Sequence, residues 1–392
     1  MFTKDSGKDK VKKLFSRKEG MKITLQQIQL TNFKNYAHAD VSCSKGINCL
    51  VGKNGMGKTN FLDAIYYLCM TKSHFSLTDS YLVRHEQDFF RLSGQFQTPF
   101  ANKKIVAKYQ VRKKKVFEAN QVAYNRLADH IGELPIVMVA PDDTQLATEG
   151  SEIRRRFIDN TLSQIDQAYL QQLILYNKLL KQRNALLKKM GEENKFQPAL
   201  LATYNQQMLA PAQFIFEKRS EFAKVLQPVF QVMYKYISNE SETVQLSYQS
   251  PLQEKEMEKI LQDNQEKDRI LQRTTSGIHR DDLNFEIEER SLKKFASQGQ
   301  LKSYILALKL SQYEILREFK EVEPILLLDD IFDKLDQYRV YQLLELLING
   351  QFGQVFLSDT NVNRVAKTLK KLNAEHQQFL VQEGTIEAID VE

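Results

Sequence analysis

The sequence predicts an α/β fold, and three observations carry that expectation. The apolar run 47–51 leads into Gly52-Lys53-Asn54-Gly55-Met56-Gly57-Lys58-Thr59, and Phe61, Ala64, Ile65 and Leu68 then share one helical face. Far downstream, Pro324-Ile325-Leu326-Leu327-Leu328 ends in Asp329-Asp330, the pattern of a buried strand with carboxylates at its carboxyl end. Between them, residues 151–272 are mostly helical in pattern, with Pro211, Pro228 and Pro251 expected to divide them into pieces.

In chain order, residues 1–20 form a polar arm with seven Lys/Arg and three Asp/Glu, expected to be disordered. From 21 to 117 strand patterns dominate. Ile23, Leu25, Ile28 and Leu30 lead into Thr31-Asn32-Phe33-Lys34-Asn35-Tyr36. The apolar stretch 105–111 and the strand from Val116 frame Arg112-Lys113-Lys114-Lys115, which reads as a hairpin with a basic tip at 113–115. Residues 134–140 are a buried run broken by Pro141-Asp142-Asp143. Ser151 is the expected N-cap of a helix holding Arg154, Arg155 and Arg156. Residues 167–191 carry five basic and no acidic side chains, with Lys178, Lys181 and Lys188 on one face. Strand patterns return at 283–287, 325–328, 355–357 and 379–381, with a helix over about 300–319. The domains expected are 1–20 (arm), 21–150, 151–275 (helical) and 276–392.

The net charge of +6 falls to +2 once the arm is set aside, so a polyanion would have to use local patches. Cys43, Cys49 and Cys69 sit among apolar neighbours, which suggests a reduced compartment rather than a disulfide framework or zinc site. No apolar run reaches bilayer length and the N-terminus has no apolar signal core, so a soluble cytoplasmic chain without membrane partners is expected.

The chemistry starts at residues 52–59, which fill the G-x-x-x-x-G-K-[ST] pattern without substitution. Its glycines let backbone N–H groups wrap a phosphate, Lys58 supplies charge at the β/γ-phosphates, and the Thr59 hydroxyl can ligate Mg²⁺. All eight residues, Gly52, Lys53, Asn54, Gly55, Met56, Gly57, Lys58 and Thr59, are therefore candidate ATP contacts. Asp329 is the candidate second Mg²⁺ ligand, and Asp330 the group that orients and deprotonates an attacking water. Ser297-Gln298-Gly299-Gln300 stands before the long helix, with Ser297 as a natural N-cap and a helix start as an anion site.

That tetrapeptide, about 30 residues before the Asp pair, is similar to the signature motif of ABC-type ATPases. There the loop meets the γ-phosphate held by the opposite subunit, which implies roles for Ser297, Gly299 and Gln300. Residues 332–336 resemble the segment along an ABC dimer interface. Ser358-Asp359-Thr360 stands where the switch residue of such enzymes sits, so Ser358 and Thr360 join Asp330 as catalytic candidates.

Together these strings resemble the RecF family, bacterial DNA replication and repair ATPases related to SMC-type heads. The more specific marks are residues 30–36, Arg154-Arg155-Arg156-Phe157-Ile158-Asp159, residues 181–187 and Gly277-Ile278-His279-Arg280-Asp281-Asp282. Ile278 departs from the family's usual Pro, and Lys34 from its common Arg, so a Lys34 phosphate contact would be monodentate. The 69–75 stretch and the arm also differ. The resemblance implies a two-lobed ABC-type P-loop ATPase head with a helical second lobe. It also implies an ATP-dependent homodimer, weak hydrolysis, and binding of double- and single-stranded DNA. The biology it implies is recombinational repair and the SOS response, with RecO and RecR assisting RecA loading at gaps.

Rival classes fare worse. An SMC structural protein needs long heptad arrays between Lys58 and Asp329, and the 271 positions available are broken by proline. A transporter subunit keeps its two phosphate motifs closer and has a glycine where Gln298 stands. A nuclease fusion has only 62 residues after Asp330 in which to fit. The nearest rival is an SMC-like, nucleotide-gated DNA clamp without significant turnover.

Overall fold

A computed structural model describes residues 20–76, 78–238, 242–331, 337–350, 352–372 and 374–389. Residues 1–19 of the expected arm and the 332–336 segment lie outside the described residues. The chain divides into two compact units. The first comprises residues up to Thr144, Val232–Glu242 and the chain from Ser297; the second comprises Gln145–Gln231 and Thr243–Ala296.

The first unit holds two six-stranded sheets and a two-stranded pair. One sheet runs in the order Thr385–Ile389, His376–Gln382, Ile47–Val51, Val355–Asp359, Ile325–Leu328 and Ile136–Val139, parallel except for its first edge strand. Its central strands are buried on both faces, which is why they read as unbroken apolar runs. The second sheet is antiparallel: Tyr36–Ser42, Thr24–Phe33, Phe89–Gln97, Asn102–Gln110, Val116–Ala119 and Val122–Ala123. Period-two alternation gives it one apolar face, with Ile28, Leu30, Leu92, Ile105 and Ala107 buried. Helix Lys58–Met70 packs there: Tyr67 meets Phe90 edge-on at 5.4 Å and stacks on Phe117 at 5.6 Å. The other face carries Gln27, Gln29, Thr31, Arg91, Gln95, Lys104 and Lys108.

The second unit contains helices Ser151–Ile165, Gln167–Glu192 and most of Pro198–Ser238, with a three-stranded sheet of Val244–Gln249, Asp282–Ile287 and Arg290–Ser291. Three expectations are corrected here. Pro211 and Pro228 lie inside the single helix Pro198–Ser238. Burial of Met208, Ala212, Ile215, Leu226 and Phe230 on it outweighs a proline cost of roughly 3 kcal/mol each. Ser151 is the first helical residue rather than the cap, which is Gly150 without a side-chain bond. The break expected at 275/276 does not coincide with this division, because Asp282–Ile287 pairs antiparallel with Val244–Gln249 in the second unit. Arg183, one of the five basic residues of 167–191, is fully buried and donates to Asp268 at 2.7 Å.

Two of the strings that carried the family resemblance, 154–159 and 277–282, converge in this unit. Arg219 donates to Asp159 and, at 2.7 Å, to Asp281 Oδ2; Tyr169 also donates to Asp159, and Tyr248 to Asp281. Arg154 forks onto Asp282 at 2.6 and 3.0 Å, and Arg155 donates to the Asp281 carbonyl. Bidentate pairs of this kind fix geometry as well as charge.

Candidate functional site

Parallel pairing brings strands Ile47–Val51, Val355–Asp359 and Ile325–Leu328 side by side, so the chain leaves all three at one sheet edge. Residues 52–59, 329–330 and 358–360 therefore gather there, as open α/β sheets place ligands. Gly52 has φ 151°, and a Cβ on it would lie 2.3 Å from the Val381 carbonyl oxygen, so no other residue fits. Gly57 has φ 121° and caps helix Lys58–Met70. That helix start directs unbonded N–H groups and its positive dipole end into the loop.

Lys58 is 3% exposed and donates to the carbonyls of Gly52 at 2.8 Å and Lys53 at 3.1 Å. Thr59 Oγ1 lies 3.0 and 2.8 Å from the two oxygens of Asp329, 270 residues away in sequence. Ser358 Oγ donates to Asp329 Oδ1 at 2.7 Å and accepts from the Asp330 N–H at 2.8 Å. Burial pushes the Asp329 carboxyl up; the Ser358 and Thr59 hydroxyls oppose that shift, and neighbouring Asp330 adds to it. A buried carboxylate beside a threonine hydroxyl is an oxygen donor set that suits a hard cation such as Mg²⁺. Asp330 takes a left-handed conformation, φ 43°, which turns the chain out of the strand. Thr360, another candidate, is half-buried just past strand Val355–Asp359.

Several supports of the loop were not anticipated. The Asn35 amide donates to the Met56 carbonyl at 3.0 Å and accepts from Asn60 at 2.7 Å. Tyr36 donates its hydroxyl to Gly57, and the Gly384 N–H donates to Met56. The loop is thus braced by the 34–36 turn and by the hairpin of His376–Gln382 and Thr385–Ile389. Only the position of Asn35 beside Lys34 hinted at this, since strand pairing over hundreds of residues has no local signal.

Lys34 departs from expectation. Its ammonium lies 2.7 Å from the fully buried Asp63 and over the rings of Phe33 and Phe75. A phosphate contact from Lys34 would have to share or break that pair. Ser297 caps helix Gln298–Lys320 as expected: its hydroxyl accepts from the Gln300 N–H at 3.2 Å, and the Gln300 side chain accepts from the Ser297 N–H at 2.7 Å. Ser297 is exposed, and Gly299 keeps the first turn clear beside Arg339, whose guanidinium would lie 3.1 Å from an added Cβ. Further along the helix, Lys309 is buried and pairs with Asp143 at 2.7 Å.

Cys49 and Cys69 are buried and Cys43 half-buried, their thiols pushed up by burial, that of Cys43 to about 12. Among the described residues no cluster of three or more His, Cys, Asp or Glu could hold a metal, and no helix is long and apolar enough to cross a membrane.

Residues 24–130 match the RecF/RecN/SMC N terminal domain. The chain is 44% identical to the DNA replication and repair protein RecF of Flavobacterium johnsoniae, over 91% of this chain and 99% of that protein. It is 42% identical to RecF of Phocaeicola vulgatus, over 93% and 98%. Among solved structures it is similar to the recombination mediator protein RecF-ATP in the RecFOR pathway, with TM-score 0.85 and 28% identity, covering 95% of this chain and 99% of that one. The fold alone is also that of the Smc head domain of Pyrococcus furiosus, with TM-score 0.56 and 16% identity over 94% and 96%. A phosphate loop, an acidic strand end and a capped helix start on an ABC-type head, together with these relatives, lead to one conclusion: the chain belongs to the RecF family of DNA replication and repair proteins.

Proposed function

We propose that this chain binds ATP at residues 52–59 and hydrolyses it slowly in a homodimer that ATP assembles on DNA. One observation carries the reading: Lys58, buried at the head of a helix, meets only carbonyl oxygens beside a carboxylate–hydroxyl pair. In this reading the loop amides and Lys58 hold the β/γ-phosphates, and Thr59 and Asp329 hold Mg²⁺. The ion, when bound, neutralises charge that develops on the γ-phosphate. Asp330 takes the proton of the attacking water, with Ser358 and Thr360 beside it. Ser297, Gly299 and Gln300 of one subunit meet the γ-phosphate held by the other, which would make turnover depend on dimerisation. Lys34 is a further phosphate contact only if it leaves Asp63. The solved RecF-ATP relative in the RecFOR pathway supports ATP as the nucleotide, and supports RecO and RecR as partners in a repair role.

The test is sizing and turnover together. With ATP and gapped DNA the chain should elute as a dimer. Asp330→Asn should dimerise with ATP yet turn over about 10²–10⁴-fold more slowly, the usual contribution of a general base. A chain that stays monomeric with ATP and DNA overturns the shared-site reading. Wild-type turnover near zero, with dimerisation intact, favours the clamp.

A further inference from the structure

The chain's modest net charge conceals a steep internal division. Residues 20–130 carry 16 Lys/Arg against 7 Asp/Glu, whereas residues 131–392 carry 32 against 39. The basic excess thus belongs to the segment that builds the antiparallel sheet and the phosphate loop. Within it, several cations fall on one line. Lys104 and Lys108 point from the polar face of strand Asn102–Gln110, four residues or about 13 Å apart. Arg91 sits beside Lys108 in the register, and the strand then runs out to Arg112, Lys113 and Lys114 at an exposed turn.

Among the described residues none of Arg91, Lys104, Arg112, Lys113 and Lys114 has a carboxylate within ion-pair distance; Lys108 shares Glu118 at 2.7 Å. The tip expected at 113–115 is corrected in one respect. Lys115 turns inward, donating to the Thr71 carbonyl at 2.7 Å and pairing with Asp79 at 2.9 Å over the Tyr67 ring. It anchors the hairpin, so the three cations beyond it are held at a fixed place. Arg112 has φ 66°, a left-handed conformation that Gly or Asn adopts at less cost. Beside the line, Gln27, Gln29 and Gln95 form a bonded row across the strands, polar and uncharged but for Asp40.

We propose that this line, from Lys104 to the 112–114 tip, is the surface that tracks the DNA backbone. The inference rests on the DNA-binding reading above and assigns it a place. The line is about 25 Å long, the axial span of roughly seven phosphates of one strand. Unpaired cations on a polar sheet face contact phosphates without reading bases, so the binding is indifferent to sequence. The competing candidate, helix Gln167–Glu192, offers Lys178 and Lys181, while its Lys188 and Lys189 lie near Glu192 and Glu193.

The experiment measures affinity of the full chain for a short duplex of arbitrary sequence, with saturating ATP, across a salt series. Arg112→Gln, Lys113→Gln and Lys114→Gln together should flatten the log–log salt slope by roughly 0.9 for each phosphate no longer neutralised, up to about 2.7. Their melting temperature and ATP affinity should not change, since all three side chains are exposed. Lys178→Gln with Lys181→Gln should leave the slope as in the wild type. A triple variant with the wild-type slope, or a larger flattening in the helical pair, overturns the assignment. A wild-type chain that holds no duplex at low salt overturns the DNA reading and this surface with it. An acidic protein captured by the tip, with the DNA slope unmoved, counts against the proposal too.

Discussion

Lys58 in the first unit and Arg219 in the second are equally buried, at 3% and 2% exposure, yet their partners differ in kind. Arg219 faces two carboxylates, Asp159 and Asp281, and the Ile278 carbonyl. Its guanidinium is held above its ordinary range by those anions, Asp159 first, against the opposing cost of burial. Lys58 touches only carbonyl oxygens, and among the described residues no carboxylate lies within ion-pair distance of it. A charge neutralised inside the fold is architecture. A buried charge hydrogen-bonded only to carbonyls is a place kept for an anion, because desolvation without a direct counter-charge is costly. The family-specific strings around Arg154, Asp159, Arg183 and Asp281 thus read as structure, and the generic phosphate loop as chemistry.

The contrast can be broken by removing each cation. Arg219→Met leaves buried Asp281 and half-buried Asp159 without their partner, and should destabilise the second unit by about 3–5 kcal/mol in urea unfolding. Near-wild-type stability would mean the carboxylates reorganise and the network is not architectural. Lys58→Ala should do the reverse. Stability should hold or rise slightly, while ATP affinity falls about 100-fold, the loss of charge-assisted bonds worth roughly 3 kcal/mol. ATP binding at wild-type affinity would remove the loop assignment.

This division also explains what could be read from the sequence. The phosphate loop, the acidic strand end and the Ser297 cap are local chemistry, each written in fewer than ten consecutive residues. The pairing of Thr59 with Asp329, the bracing of Met56 by Asn35 and Gly384, and the Lys34–Asp63 pair join distant positions that no local pattern links. Pro211 and Pro228 misled because propensity is weaker than the tertiary packing that carries a helix through them. The basic excess of segment 20–130 is countable in the sequence, but a total for residues 21–392 averages it against an acidic remainder.

A third prediction sharpens the comparison through pH. His279 bridges the Tyr176 hydroxyl at 2.9 Å and the Thr274 carbonyl at 3.1 Å, as a neutral ring that accepts at Nδ1 and donates from Nε2. Burial first, and then Arg280 and Arg155, lower its pKa to about 4, against the pull of the Thr274 carbonyl. Between its ordinary value near 6.5 and about 4 the unfolded chain binds the extra proton, so stability falls as pH falls through that window. The effect should be about 1–3 kcal/mol. Asp281 works in the opposite sense, since burial raises its carboxyl and the folded chain then keeps the proton longer. His279→Gln isolates the histidine's share: its stability–pH curve should be flatter than that of the wild type between pH 6.5 and 4. Parallel curves would show that His279 titrates as freely folded as unfolded.

The smallest expected effect separates two readings of one residue. Ser297 is a helix cap by geometry and a γ-phosphate contact by proposal. Ser297→Ala loses the cap and should cost about 1 kcal/mol. Ser297→Asp restores a cap of equal quality, and its negative charge suits the helix N-terminus. The same charge would repel an incoming γ-phosphate at that helix start. If Ser297 is only a cap, the Asp variant should match the wild type in stability and in ATP-driven dimerisation, with Ala the weaker of the two variants. If the helix start receives the partner's nucleotide, the order inverts for assembly: Asp keeps the stability and loses the dimer, while Ala loses some stability and keeps it. ATP affinity of the monomer should be untouched in both, since Lys58 and the loop remain intact. Melting temperature and sizing with ATP, measured on the same two samples, decide between the readings.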